Sequence, residues 1–244
     1  MTSSRRSLKK RLTSPLLAKF EMARGDSPTI ALEEASRAGF YGLLARLFAE
    51  PPSAESLAAL RELTGDESPL GQALIDLSAA ARTTSITAIA EEFNSLFIGL
   101  TEGELRPYGS YYRAGFLHEK PLADLRHDLW ALGVARSATA SEPEDHIAAL
   151  CETMFGLITG AFGAPADPHV DLRRQAAFFT AHIDSWAPRF FVDLQAAPSA
   201  VFYRPLGRLG AQFVAIEAEA FAMLDDEAER PDAGQRAAMA GAPA

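Results

Sequence analysis

Apolar positions recur along this chain at three- and four-residue spacing, and strand-like alternation of any length is absent. The first strong pattern is residues 31–50, where Leu32, Ala35, Phe40, Leu43, Leu44, Leu47 and Phe48 share one broad helical face before Pro51-Pro52 stops it. Ser53 can cap a second helix running to about Leu63, and a weaker third lies near 68–81. Ile86, Ile89, Phe93, Leu96, Phe97 and Leu100 give a fourth, ended by Gly99 and Gly103. A long loop of glycines and aromatics follows, 99–115, "GLTEGELRPYGSYYRAG".

Beyond that loop, Pro121 opens a helix that Gly133 ends, and Ser141 with Glu144 reads as a capping box for a helix reaching Gly160 or Gly163. Asp167-Pro168 starts another, to about Trp186; a short helix lies between Pro188 and Pro198, and a long amphipathic one carries Val201 to Leu224. These elements predict an all-α, single-domain bundle of about eight or nine helices over 29–228. It is flanked by a basic, largely disordered tail (1–28) and a disordered Ala/Gly/Pro-rich tail (229–244).

Composition narrows the class. With 48% apolar residues in 244, the chain can bury a substantial core. The richest apolar segment, 147–162, is broken by Glu152 and reads as a buried helix, not a membrane span. The one cysteine, Cys151, excludes an internal disulfide and any multi-cysteine metal site, and fits a reducing cytoplasm. Residues 1–24 carry seven basic side chains against Glu21, a net of +6; since the whole chain sums to −9, the rest carries −15. An acidic body repels nucleic acid and anionic membranes and favours basic partners, a basic peptide among them.

Enzyme motifs are missing. There is no phosphate-cradling glycine loop; His118-Glu119 begins a zinc-protease motif that Leu122 breaks; His118, His127, His169 and His182 share no metal-ligand spacing. Cys151 reads as a buried inert thiol. Two features are candidates for binding. Asp145-His146 lies at a helix start, where the dipole favours the acid and Glu142 can orient the histidine; the alternative is an ordinary acidic helix start with a solvated histidine. Tyr108, Tyr111 and Tyr112 either present a recognition surface or cover the core beneath their loop.

The stretches "EEFNSLFIG", "PYGSYY", "GFLHEKPLADLRHDLWALGVAR" and "EPEDHIAALCETM", in that order and spacing, resemble the TorD/DmsD/NarJ family of redox-enzyme maturation chaperones. The similarity covers most of 31–224, with "RAGFYGLLARLFAEPP" at the front and "HIDSWAPRFF" near the end. The resemblance implies a cytoplasmic chaperone that is not an enzyme. Such a protein binds the twin-arginine leader or body of a molybdopterin-containing oxidoreductase precursor and holds it for cofactor insertion. It implies a peptide-binding groove at Phe93, Leu96, Phe97, Gly99, Pro107, Tyr108, Ser110 and Tyr112, joined by Asp145 and His146. Gly109 and Leu100 depart from the family, where an acid and a proline are usual.

An acidic rim beside an apolar groove suits a leader with a basic start and an apolar middle, and Glu91, Glu92, Glu102, Glu104, Glu142, Glu144 and Asp145 supply acid around the loop. The wording of "GFLHEKPLADLR" and "EPEDHIAALCE" is closest to members associated with formate dehydrogenases. No resident cofactor or metal is expected; a weak guanine-nucleotide contact, a transient molybdenum-cofactor contact and a homodimer remain open. The rival readings are a nucleotide- or cofactor-binding protein and a structural helical subunit of the mature enzyme. Ser4-Arg5-Arg6-Ser7-Leu8-Lys9 has the order of a twin-arginine motif, but the longest apolar run after it, Leu16-Leu17-Ala18, is closed by Lys19. The segment is thus a basic extension or a mimic of a client's leader.

Overall fold

The structure, a computed structural model, describes residues 32–99, 102–135, 142–163 and 168–229. Among these are ten α-helices and no strand-built sheet. Local signals set most boundaries. Ser53, Ser68 and Ser85 cap α2 (Ala54–Arg61), α3 (Pro69–Thr83) and α4 (Ile86–Phe93), each side chain accepting the backbone N–H three residues on at 3.0–3.2 Å. Pro51 and Pro52 follow α1 (Leu32–Ala49), and Pro69 occupies the first turn of α3.

α4 runs into a π-helical turn, Asn94–Ile98, that stops at Gly99. Gly99 has φ +64°, and a β-carbon there would sit 1.8 Å from the Glu102 carbonyl oxygen, so the turn needs glycine. The expected loop then contains a six-residue helix, α5 (Gly109–Ala114), which apolar periodicity could not reveal in so short a stretch. This is why the helices number ten, nine of them eight residues or longer.

α6 (Lys120–Ala131) ends at Leu132-Gly133, the glycine at φ +71°. α7 (Ile147–Ile158) is the central helix, nine of its twelve residues buried, as a helix apolar on all sides should be. α1 packs along it, and α10 (Tyr203–Glu229) lies against α3 and α9 (Ala187–Ala196). The expected helix from Asp167-Pro168 to about Trp186 is α8 (Pro168–Phe179) continued by a π-helical turn at Thr180–Asp184, and the expected short helix between Pro188 and Pro198 is α9. The expected cap Asp167, the expected tail 1–28 and all of the expected tail 229–244 except Glu229 lie outside the described residues.

The core joins Phe48, Phe93, Phe97, Phe190, Phe191 and Tyr203, with neighbouring ring centroids 5.1–6.4 Å apart. Two buried carboxylates tie distant segments across it. Glu92 accepts the backbone N–H groups of Val201, Phe202 and Tyr203 at 2.7–2.9 Å, satisfying the start of α10 with an anion where the helix dipole favours one. The sequence reading put Glu92 on an acidic rim; it is buried and structural instead. Glu217 takes a two-pronged pair from Arg37, at 2.7 and 2.8 Å, and the Tyr41 hydroxyl at 3.0 Å, linking α1 to α10. Burial alone would push the Arg37 guanidinium down, but Glu217 and Glu34 hold it above its ordinary value.

Candidate functional site

The segment 102–115 returns along the π-helical turn it has just left, Leu105 N–H donating to the Leu96 carbonyl at 2.8 Å and Glu104 N–H to that of Ser95 at 3.1 Å. It then meets the start of α7 in a single antiparallel bridge between Tyr108 and His146. Gly109 N–H donates to the Asp145 carbonyl at 3.0 Å, and Ile147 N–H to the Pro107 carbonyl at 2.9 Å. The Asp145 side chain adds a third tie, its Oδ2 accepting Ser110 N–H at 2.8 Å in the first turn of α5. One acid thus pins both the loop and the helix carrying Tyr111 and Tyr112. Gly109 passes close to Trp186, where a β-carbon would stand 3.1 Å from the indole nitrogen, so an acid is sterically disfavoured here.

The Asp145-His146 pair is therefore buried, at 3% and 6% exposure, not a solvated helix start. The cap of α7 is His146 itself, whose Nδ1 accepts Ala148 N–H at 3.2 Å; the expected box of Ser141 and Glu144 does not open this helix. Ser141 lies outside the described residues, and Glu144 pairs with Arg126 at 2.9 Å. With Nδ1 accepting, the ring proton belongs on Nε2. Burial pushes the His146 pKa down to about 4 against the opposing pull of Glu142 and Asp145, so the ring is neutral near pH 7. Tyr108 sets its ring edge-on to His146, centroids 5.0 Å apart, and donates its hydroxyl to Glu142.

On the other side of α5, Tyr112 packs against Trp186 and Phe190, centroids 5.5 and 6.0 Å away, and donates its hydroxyl to Asp193 at 2.9 Å. Burial, reinforced by Asp193, raises the Tyr112 phenol, and burial with Glu142 does the same for Tyr108, so both remain donors. Between this face of α5, the strand-like run 102–106 and α9 lies a half-open cleft of about 340 Å³. Glu102, Glu104 and Asp193 supply its carboxylates, and Tyr111 and Tyr112 its aromatic surface. Two guanidinium groups complete it: Arg106 lies 5.0 Å from the Tyr111 ring centre and pairs with Glu102, and Arg189 lies 5.9 Å from that of Tyr112.

Of the ten sequence-predicted site residues, Tyr112 alone lines this cleft. Phe93, Leu96, Pro107, Ser110, Asp145 and His146 are buried; Phe97 and Tyr108 are half-buried, and Gly99 forms the turn. Leu96, Pro107 and Asp145 hold the segment 105–110 in place through the bonds described above. Glu102, Glu104 and Tyr111 were legible as acidic rim and recognition loop. Arg106, Arg189 and Asp193 were not singled out, although Arg189 and Asp193 stand four apart on α9, one helical face.

No catalytic arrangement accompanies the cleft. Burial pushes the Cys151 thiol up, out of reach of a nucleophilic role, and no three metal-ligating side chains gather among the described residues. The sequence model of the nitrate reductase delta subunit family matches residues 63–192. The chain is 27% identical over 194 residues, 73% of its length and 88% of theirs, to the chaperone protein TorD from strains of Vibrio cholerae serotype O1. A crystal structure from Archaeoglobus fulgidus, of a protein named for redox enzyme maturation, is similar with TM-score 0.46 at 18% identity over 80% of this chain and 99% of that one. The chain belongs to this TorD-like family of redox-enzyme maturation chaperones, which are not enzymes.

Proposed function

We propose that this chaperone binds the twin-arginine leader of a molybdopterin-containing oxidoreductase precursor in the cytoplasm and holds the precursor for cofactor insertion, the client being formate-dehydrogenase-like. The cleft between 102–106, α5 and α9 is the observation that carries the reading. A leader offers guanidinium groups followed by an apolar stretch. Three carboxylates and two tyrosine faces suit the first. Exposed Ile98, Val192 and Val201 suit the second: Ile98 ends the π-helical turn, Val192 neighbours Asp193, and Val201 follows the Ser199 backbone that Glu104 accepts from at 3.3 Å. No helix among the described residues is long and apolar enough to cross a membrane.

In this reading the chaperone carries no resident cofactor, and the buried Asp145-His146 bridge positions the cleft without touching the peptide. Calorimetric titration with leaders of the host's molybdoenzymes tests it. The expected result is micromolar binding to one leader and at least tenfold weaker binding to the same peptide with both arginines changed to lysine. Lysine keeps the charge but loses the planar, forked donor set. Equal affinity for the two peptides, or no binding to any leader by a folded protein, overturns the proposal.

A further inference from the structure

The cleft already binds guanidinium groups, those of its own chain. Each of its two tyrosine rings has an arginine across its face, at 5.0 Å for Arg106 on Tyr111 and 5.9 Å for Arg189 on Tyr112, and each pair has a carboxylate beside it, Glu102 and Asp193 respectively. Counting Glu104, three carboxylates face two guanidiniums, so negative charge is in excess. A segment with closely spaced arginines is the ligand such a surface selects.

The chain contains two adjacent arginine pairs. Arg173-Arg174 is fixed in α8, where Arg174 reaches Asp171 at 3.6 Å and the Gly163 carbonyl at 3.3 Å. The other is Arg5-Arg6, within Ser4-Arg5-Arg6-Ser7-Leu8-Lys9, in a stretch of net +6 attached to a remainder of −15. A segment as long as residues 7–31 can span at most about 80 Å at roughly 3.3 Å per residue, several times the radius of gyration of about 16 Å for a domain of this size. Reach excludes no face of the molecule, so charge and guanidinium chemistry decide where the segment settles.

We propose that residues 3–10 of this same chain occupy the cleft, Arg5 and Arg6 competing for the carboxylates and tyrosine faces that Arg106 and Arg189 hold, so that a client must displace them. The proposal deepens the leader-site reading and rests on it for the location of the site. It makes the chaperone self-blocking. A tethered segment acts at an effective concentration of about 1 mM; if its intrinsic Kd is about 0.1 mM, the tail is docked most of the time and weakens a competitor about tenfold.

The test uses the full chain and a synthetic peptide of residues 1–12. In the Arg5→Gln/Arg6→Gln variant the added peptide should bind about tenfold more tightly than in the wild-type chain, whose own tail competes. Adding Glu102→Gln and Asp193→Asn to that variant should then weaken the peptide at least fivefold; the side-chain carbonyl introduced by Asp193→Asn still offers Tyr112 an acceptor, so the fold is spared. Equal peptide affinity in wild type and variant, or binding to neither, overturns the proposal. A leader titrated in parallel separates the two readings: leader bound but peptide not bound removes the tail alone, and peptide bound but no leader bound removes the leader function and leaves the tail contact standing.

Discussion

Asp145 joins the buried start of α7 to the segment that forms the cleft, and replacing it tests whether its role is structural. In Asp145→Ala the Ser110 N–H loses its charged acceptor at a position with no measurable exposure, and the first turn of α5 loses its anion. A buried donor left unpaired costs about 1–3 kcal/mol, with hydrogen bonds to charged groups at the upper end. We expect a loss of about 2–3 kcal/mol, roughly 5–10 °C in Tm for a domain of this size. Asp145→Asn should cost far less. Its carbonyl can replace Oδ2, and its amide would fall at Oδ1, which has no hydrogen-bond donor of its own. Urea unfolding followed by far-UV circular dichroism measures both. If Asp145→Ala loses less than about 0.5 kcal/mol, or Asp145→Asn loses as much as the alanine variant, the tether is not what holds the loop.

Glu217→Ala takes the acceptor from the buried Tyr41 hydroxyl and leaves the half-buried Arg37 guanidinium only Glu34 and Gln175, which should cost about 2–3 kcal/mol; a thermal midpoint within about 2 °C of wild type would contradict this. His146 predicts acid sensitivity. Its folded pKa of about 4 lies below the unfolded value near 6.5, so the unfolded chain binds the extra proton and stability falls as pH drops through that window. Between pH 7 and pH 5 the loss from this ring is about 2 kcal/mol, and His146→Asn, which keeps a helix-capping side chain, should remove that part of the pH dependence. Matching pH profiles for wild type and His146→Asn in urea titrations would refute the assignment.

Elements governed by neighbouring residues were readable from sequence. Ser53 caps because its oxygen meets a backbone amide three residues away, and Gly99 ends its helix because the positive φ there excludes a side chain; neither depends on the rest of the fold. Glu92 shows the limit. Its partners lie 109 to 111 residues away, so helical spacing beside Glu91 could mark it only as one more acid near a loop. The same holds for Asp145 and His146, whose burial comes from the returning segment 107–110 and not from α7. Of the residues the family resemblance implies, Tyr112 lines the cleft, while Pro107, Ser110, Asp145 and His146 are joined by backbone and carboxylate bonds at the start of α7. Arg189 and Asp193 reach the cleft from α9, some eighty residues beyond the loop, where Tyr112 packs on Trp186 and Phe190 and bonds to Asp193.

Hydrogen exchange of the full chain, with and without a bound twin-arginine leader, tests the central claim most directly, because it locates the peptide and does not merely detect it. The account predicts new protection concentrated in residues 102–115 and 187–196, the walls of the cleft, and little change along α2 and α3. Protection confined to α2, α3 or other surfaces away from α5 and α9, while the leader is demonstrably bound, would contradict the assignment of the cleft as the leader site.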